Sequence, residues 1–184
     1  NGDNNIIGVD GDGINDAAEH NIIRENERNG IFVNSGSDNN RISGNKIGID
    51  RNNASKPNLW NGIHLAGANN LVGVLGNGVS DDLEGNTIAY NDQGGIFVSN
   101  NNNMIRGNII TANELSGIHI STCSLTKIGT NGDGIADGAE GNVISGNHEY
   151  GIYIYETSET VVAGNKVGTN AAGDGRALNV LGGI

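Results

Sequence analysis

An acidic segment that occurs three times carries the strongest chemical signal in the sequence. The copies span residues 9–20, 74–85 and 130–141. The first copy follows the spacing D-x-D-G-x-x-D-x-x-E, which can wrap carboxylates around a hard cation while its glycine permits a sharp turn. Its candidate metal ligands are Asp10, Asp12, Asp16 and Glu19. We therefore predict a Ca²⁺ site in this copy.

The other two copies match the calcium pattern less well. The third copy offers Asn131, Asp133, Asp137 and Glu140, and we predict a second Ca²⁺ site there. The second copy has Leu75 and Asn77 at the first two ligand positions and is weaker. All three copies lack the first acidic residue of a complete calcium loop, since glycine stands there. The alternative is a Gly-Asp turn followed by one helical turn, without a metal.

A second candidate site consists of aromatic and histidine residues within a repeated Gly-Ile-x-aliphatic motif. If each motif is a β-strand, its third residue points outward. Stacked strands then place one column of rings on the surface: Phe32, His64, Phe97, His119 and Tyr153. Such a column could bind a polysaccharide or a protein partner. The alternative is that the rings, with Trp60 nearby, only pack against one another and against the insertions.

Catalysis is the third possibility, and its candidates are His119 and Tyr153 on adjacent repeats. A polysaccharide lyase or uronate epimerase needs an acid, a base and a cation that neutralises the substrate carboxylate. No Arg or Lys falls at the neighbouring outward positions of this strand. The sequence therefore favours a protein that is not an enzyme, with lyase or epimerase activity as the alternative.

The repeat itself predicts the elements that position these residues. The shortest interval between two motifs, 22 residues from Gly95 to Gly117, contains three aliphatic segments separated by turns. We interpret this unit as one coil of three short strands. The other coils fit if insertions occur at only two corners, and about five coils then cover residues 1–184 as one domain. Because equivalent strands recur a full coil apart, they pair in parallel and, by the crossover preference, wind right-handed.

The same alignment predicts the interior of the coil. Each strand sends one or two Ile or Val residues inward, where neighbouring coils stack like on like. Six asparagines open the third strands and should form an internal hydrogen-bonded ladder: Asn21, Asn45, Asn86, Asn108, Asn142 and Asn165. A shorter ladder should run through Asn5, Asn40, Asn70 and Asn103. These asparagines are structural in this interpretation and do not form a polar active site.

Composition limits the partners of the chain. The net charge is −11, and ten Lys and Arg residues cannot neutralise a nucleic-acid backbone, so we expect no nucleic-acid binding. A single cysteine, Cys123, excludes an internal disulfide and a thiolate zinc cluster. No apolar run approaches the length of a membrane span, so we expect no membrane insertion.

The segments NRISGNKIG, GNVISGN and GTNGDGIADGAEGNVI are similar to repeats of large bacterial extracellular proteins with a right-handed parallel β-helix. That resemblance implies an all-β solenoid and an extracellular or cell-surface location, and its wider superfamily includes pectate-lyase-like enzymes. We expect a structural or adhesive module, stiffened by calcium. Its partners would be the rest of a longer chain, or further copies that stack through open coil ends into a fibre. A carbohydrate-active enzyme and a carbohydrate-binding module remain the alternatives.

Overall fold

The protein is a right-handed parallel β-helix, as predicted from its repeats. The structure is a computed structural model that describes residues 2–184. The chain passes through three parallel sheets in a fixed order, so each coil contributes one short strand to each sheet. Five complete coils are followed by two strands of a sixth.

The strands are only two to four residues long, and each sheet runs the length of the solenoid. Sheet A consists of Ile6–Gly8, Arg41–Ser43, Leu71–Gly73, Met104–Arg106, Lys127–Gly129 and Val161–Ala163. Sheet B consists of Ile22–Ile23, Lys46–Ile47, Thr87–Ala89, Ile109–Thr111, Val143–Ser145 and Lys166–Val167. Sheet C consists of Ile31–Val33, Ile63–Leu65, Ile96–Val98, Ile118–Ser121 and Ile152–Tyr155.

Helical structure is confined to the three acidic insertions, which connect sheet A to sheet B on alternate coils. The first contains a 3-10 helix at Asp16–Ala18, and the others contain α-helices at Asp81–Glu84 and Asp137–Glu140. No helix within residues 2–184 is long and apolar enough to cross a membrane.

The core is the predicted set of aliphatic columns. In sheet B, Ile47 pairs with Ile88, which aligns with Ile110 and then Ile144. These four side chains are completely buried, as are most of their counterparts in sheets A and C. A strand of three residues has almost no stability alone, so the fold depends on this stacking of each coil on its neighbours.

Gly95 illustrates why glycine opens each strand of sheet C. A Cβ there would lie 2.5 Å from Cγ2 of Ile110 and 2.6 Å from the carbonyl oxygen of Gly117 on the next coil. Any side chain would push adjacent coils apart. The recurring glycine is therefore a steric requirement of the coil corner, and it explains why the Gly-Ile motif marks every turn of the solenoid.

Three asparagine ladders line the turns. Both predicted ladders are present, with amide-to-amide distances of 2.7–3.1 Å in the long one and 2.9–3.2 Å in the short one. A third ladder, which we did not predict, follows sheet B with distances of 2.7–3.0 Å through Asn26, Asn58, Asn91, Asn113, Asn147 and Asn179. Five residues separate it from the first ladder on every coil that has no insertion between the two, for example Asn108 and Asn113. That interval is the sequence signal that could have revealed it.

Candidate functional site

The three acidic insertions share one closing interaction. Each ends in a glutamate whose Oε2 accepts a hydrogen bond from the backbone N–H nine residues earlier. The pairs are Glu19 with Asp10 at 2.8 Å, Glu84 with Leu75 at 2.5 Å and Glu140 with Asn131 at 2.8 Å. One oxygen of each predicted ligand glutamate is thus already used to close its own loop.

Only the first insertion brings three acidic side chains to one point. Asp10, Asp12 and Asp16 each place a carboxylate oxygen within 4.8 Å of the other two. Asp10 and Asp12 are exposed, whereas Asp16 retains only 4% of its accessible surface. Oδ2 of Asp16 accepts the N–H of Gly13 at 3.2 Å, while its Oδ1 is buried without any hydrogen-bond partner.

The aspartates equivalent to Asp16 differ in this respect. In the second insertion, Asp81 accepts the N–H groups of Gly76 and Gly78. In the third, Asp137 accepts the hydroxyl of Thr130 and the N–H of Gly134, so both of its oxygens are also used. Asn131, Asp133, Asp137 and Glu140 form no group of three acidic, histidine or cysteine ligands in the part of the chain that the structure describes.

Two arginines on the coils between the insertions connect one insertion to the next. Arg106 donates to the carbonyl oxygens of Val74, at 2.6 Å, and Leu75, and it forms a buried ion pair with Glu140. Arg41 connects the first and second insertions, since it donates to the carbonyl oxygen of Val9 and pairs with Glu84. Sequence reasoning missed both residues because Arg41 begins its strand and Arg106 ends its strand, so they do not align in register.

The junction at Arg41 is less completely bonded than the junction at Arg106. Nη2 of Arg41 donates to the carbonyl oxygen of Val9 at 3.0 Å, but Nη1 is 3.6 Å from Oε1 of Glu84. Nε of Arg41 and Oε1 of Glu84 are buried without partners. Burial raises the pKa of Glu84 above its usual range, and the carboxylates of Asp81 and Asp16 add to the rise, against the Leu75 N–H and Arg41. The ionised form of the Glu84 carboxyl is therefore disfavoured, mainly by its burial.

The outward face of sheet C carries the predicted aromatic column. Successive ring centroids from Phe32 through His64, Phe97 and His119 to Tyr153 are 5.0, 4.7, 5.0 and 4.9 Å apart, with planes tilted by 45–57°. The three inner rings thus have a neighbour on each side. Phe32 and Tyr153 keep 54% and 37% of their surface exposed.

Both histidines of the column are held toward their neutral form. Burial lowers the pKa of His64 below the ordinary value of 6.5. Burial also lowers the pKa of His119, opposed by the carboxylate of Glu149. Nε2 of His64 lies 3.1 Å from the hydroxyl of Ser99. The contact between His119 and Tyr153 is a tilted ring stack, an arrangement suited to packing.

A shallow groove of about 240 Å³ lies beside one end of the column. Trp60 lines it together with Phe32 and His64, and the guanidinium of Arg28 lies 5.0 Å from the Trp60 ring centroid. Trp60 borders the column without covering it, since Trp60 and Phe32 are both exposed.

The sequence of the repeats matches a known family. The model of the NosD family, described as periplasmic copper-binding protein, matches residues 58–178, which is 121 of the 184 residues. The chain belongs to the NosD family. No curated protein matches this NosD-family sequence.

One solved structure supports the same fold. A crystal structure of a double mutant of the periplasmic alginate epimerase AlgG superposes with a TM-score of 0.51 and 18% identity over 78% of this chain and 38% of that chain. A second AlgG crystal structure gives a TM-score of 0.48 and 19% identity over 79% and 41%. The NosD-family chain thus spans about two fifths of the length of these epimerases. At 18% identity, the likeness to the double mutant is one of fold.

Proposed function

We propose that this NosD-family chain is a non-catalytic β-solenoid scaffold that presents loops from two corners of a stiff rod. The observation that carries the proposal is the position of His119, the best candidate acid or base. Its ring lies between Phe97 and Tyr153, with centroids 5.0 and 4.9 Å away. An imidazole with an aromatic ring on each side is placed for packing.

Stiffness is the property that the interior supports. Aliphatic columns and three asparagine ladders connect each coil to the next, and each inner ladder amide is both donor and acceptor. Asn108, for instance, accepts from Asn86 and donates to Asn142. Such repeated nearest-neighbour bonding stabilises a solenoid as a one-dimensional stack.

The family description favours a location outside the cytoplasm. Its description places NosD proteins in the periplasm, and we propose the periplasm or the cell exterior for this chain. Attachment to more of the same solenoid, or end-to-end association of copies, stays a prediction. Sedimentation velocity over a range of concentrations would test the association.

The family description names copper, but residues 2–184 bring together no group of nitrogen or sulfur ligands suited to that metal. Copper sites use imidazole, thiolate and thioether ligands. His64 and His119 lie on opposite sides of the Phe97 ring, and Cys123 is buried beside Thr126. Among residues 2–184, the only cluster of three candidate ligands is Asp10, Asp12 and Asp16, which offers oxygen alone. The donor set therefore does not fit copper.

A polysaccharide panel tests the scaffold against the enzyme alternative. The chain would be incubated with alginate and polygalacturonate, with and without Ca²⁺, and epimerised or unsaturated products would be sought by NMR. We expect none. Product formation that disappears in His119→Phe, a variant that preserves the ring stack, would overturn the proposal and establish a carbohydrate-active enzyme.

Glycan binding without chemistry is a second candidate, favoured by the exposed tyrosines at one end of the column. Tyr153 lies beside Tyr150 and Tyr155, with centroids 5.3 and 6.4 Å away and planes within 19°. The net charge of −11 favours a neutral glycan, because a polyuronate would be repelled. Affinity electrophoresis in neutral polysaccharides should then show retardation that Tyr155→Ala removes and that Tyr90→Ala, a change at an exposed tyrosine outside the column, retains.

A further inference from the structure

We propose that the first acidic insertion binds one Ca²⁺ ion through Asp10, Asp12 and Asp16, and that the second and third insertions do not. The inference is independent of whether the scaffold is catalytic. It rests on two separate observations: a cluster of three carboxylates and a buried carboxylate oxygen that has no partner.

The cluster supplies the ligands. Oxygens of the three aspartates lie within 4.8 Å of one another, close enough to coordinate one ion after small side-chain adjustments. Oδ1 of Asp10 accepts the N–H of Asp12, and Oδ1 of Asp12 accepts the N–H of Ile14, which leaves the second oxygen of each free. Both side chains are exposed, so an ion can enter and water can complete its coordination.

The buried Oδ1 of Asp16, which has no hydrogen-bond partner, is the second reason to expect a cation at this site. Asp16 is 4% exposed, and a buried carboxylate oxygen without a hydrogen bond is costly unless a cation or water satisfies it. The equivalent oxygens of Asp81 and Asp137 are satisfied by Gly76 and Thr130. Of the three equivalent aspartates, the one with a buried, unsatisfied oxygen is therefore in the one insertion whose carboxylates converge as a group of three.

A fourth carboxylate increases the negative charge at this point. A Cβ built on Gly11, between Asp10 and Asp12, would lie 2.0 Å from Oε1 of Glu84. Glu84 thus reaches the turn of the first insertion, and its Oε1 also lacks a hydrogen bond. All buried side-chain polar atoms without partners in residues 2–184 belong to Asp16, Arg41 and Glu84, at this junction. A divalent cation there offsets a local excess of carboxylates over arginine.

The chemistry selects calcium over the metal of the family description. Carboxylate and water oxygens are hard ligands that suit Ca²⁺, whereas copper prefers nitrogen and sulfur. A turn held by exposed side chains also suits the flexible geometry of Ca²⁺ better than the strict octahedron of Mg²⁺.

Calorimetry on the whole chain tests the site. After dialysis against EGTA and then buffer, titration with CaCl₂ should give one ion per chain, with weaker binding for MgCl₂. Asp16→Asn should weaken calcium binding at least about tenfold, whereas Asp137→Asn, the matched change in the third insertion, should leave it unchanged. No binding heat, equal binding by Asp16→Asn, or loss of binding in Asp137→Asn would overturn the proposal. Asp12→Asn, at an exposed position, gives the same test if Asp16→Asn does not fold.

Thermal melting distinguishes a calcium ligand from a purely structural residue. In EGTA, Asp16→Asn should melt at or above the wild-type temperature, because it removes a buried charge near Glu84. Adding calcium should raise the melting temperature of the wild type and leave that of the variant unchanged, since only the wild type binds the ion. A variant that is destabilised equally in EGTA and calcium would show that Asp16 only supports the loop. Neither result depends on the polysaccharide assays, so the two proposals fail separately.

Discussion

Asn108→Ala should be among the most destabilising single changes to the solenoid interior. Asn108 is 1% exposed and lies in the middle of the long ladder. Its Oδ1 accepts from the backbone N–H and the Nδ2 of Asn86, at 3.1 and 2.8 Å. Its Nδ2 lies 3.0 Å from Oδ1 of Asn142 and from the carbonyl oxygens of Val72 and Arg106.

The expected loss follows from the groups that truncation leaves behind. The backbone N–H of Asn86 loses its bond to Asn108, and a buried unsatisfied donor costs about 1–3 kcal/mol. The Nδ2 of Asn86 keeps its hydrogen bond to the carbonyl oxygen of Ile42, at 2.8 Å, so it is not left without a partner. The two hydrogens on Nδ2 of Asn108 lose bonds worth about 1 kcal/mol each. Asn108→Ala should therefore lower the free energy of unfolding by about 3 to 5 kcal/mol.

Urea denaturation followed by circular dichroism would measure this loss, with Asn52→Ala as the control. Asn52 is exposed, and its substitution should change stability by less than about 0.5 kcal/mol. In thermal melts the ladder variant should lose about 6 to 20 °C. A loss below about 1 kcal/mol for Asn108→Ala would refute the view that the ladder is an energetic support of the fold.

Three further changes test other parts of the structure. Gly73→Ala places a Cβ 1.8 Å from the carbonyl oxygen of Arg106, at a φ of +105°. It should lower the free energy of unfolding in urea by about 2 to 6 kcal/mol. Gly138→Ala, whose Cβ would meet open space, should not lower it. Because burial lowers the pKa of His64, the unfolded chain takes up the proton first as pH falls, and the wild-type melting temperature should fall between about pH 7.5 and about pH 5.5. His64→Phe should make this fall smaller. An unchanged slope of melting temperature against pH would contradict this. Arg106→Met should cost about 3 to 5 kcal/mol by leaving the Glu140 carboxylate buried and unpaired, and adding Glu140→Gln should recover part of it.

The coil register was predictable because it repeats. Every inward residue expected in sheet A, from Ile7 through Ile42, Val72, Ile105 and Ile128, pairs as the alignment required. A side chain on the wrong face would bury a polar group, so the two-residue period of the strands fixes which residues face inward. The column from Phe32 to Tyr153 follows from the same alignment, since one register sets both faces of a strand.

The contacts between insertions were not predictable from the repeat. The link from Arg106 to Glu140 joins residues 34 apart, and Arg41 reaches Glu84 from a different strand position. Long flexible side chains can reach the same point from several positions, so no fixed spacing marks them.

For the acidic insertions, the sequence determined the ligand types and their order, and it set the first and third copies apart from the weaker second. It also determined the all-β solenoid, because a periodic aliphatic pattern allows few folds. Only the tertiary structure decided which oxygens are already engaged. Asp16, Asp81 and Asp137 occupy the same place in their insertions, yet Asp16 alone keeps a buried oxygen free. Hydrogen bonds form between atoms within about 3 Å of each other, and that proximity is set by how neighbouring coils pack.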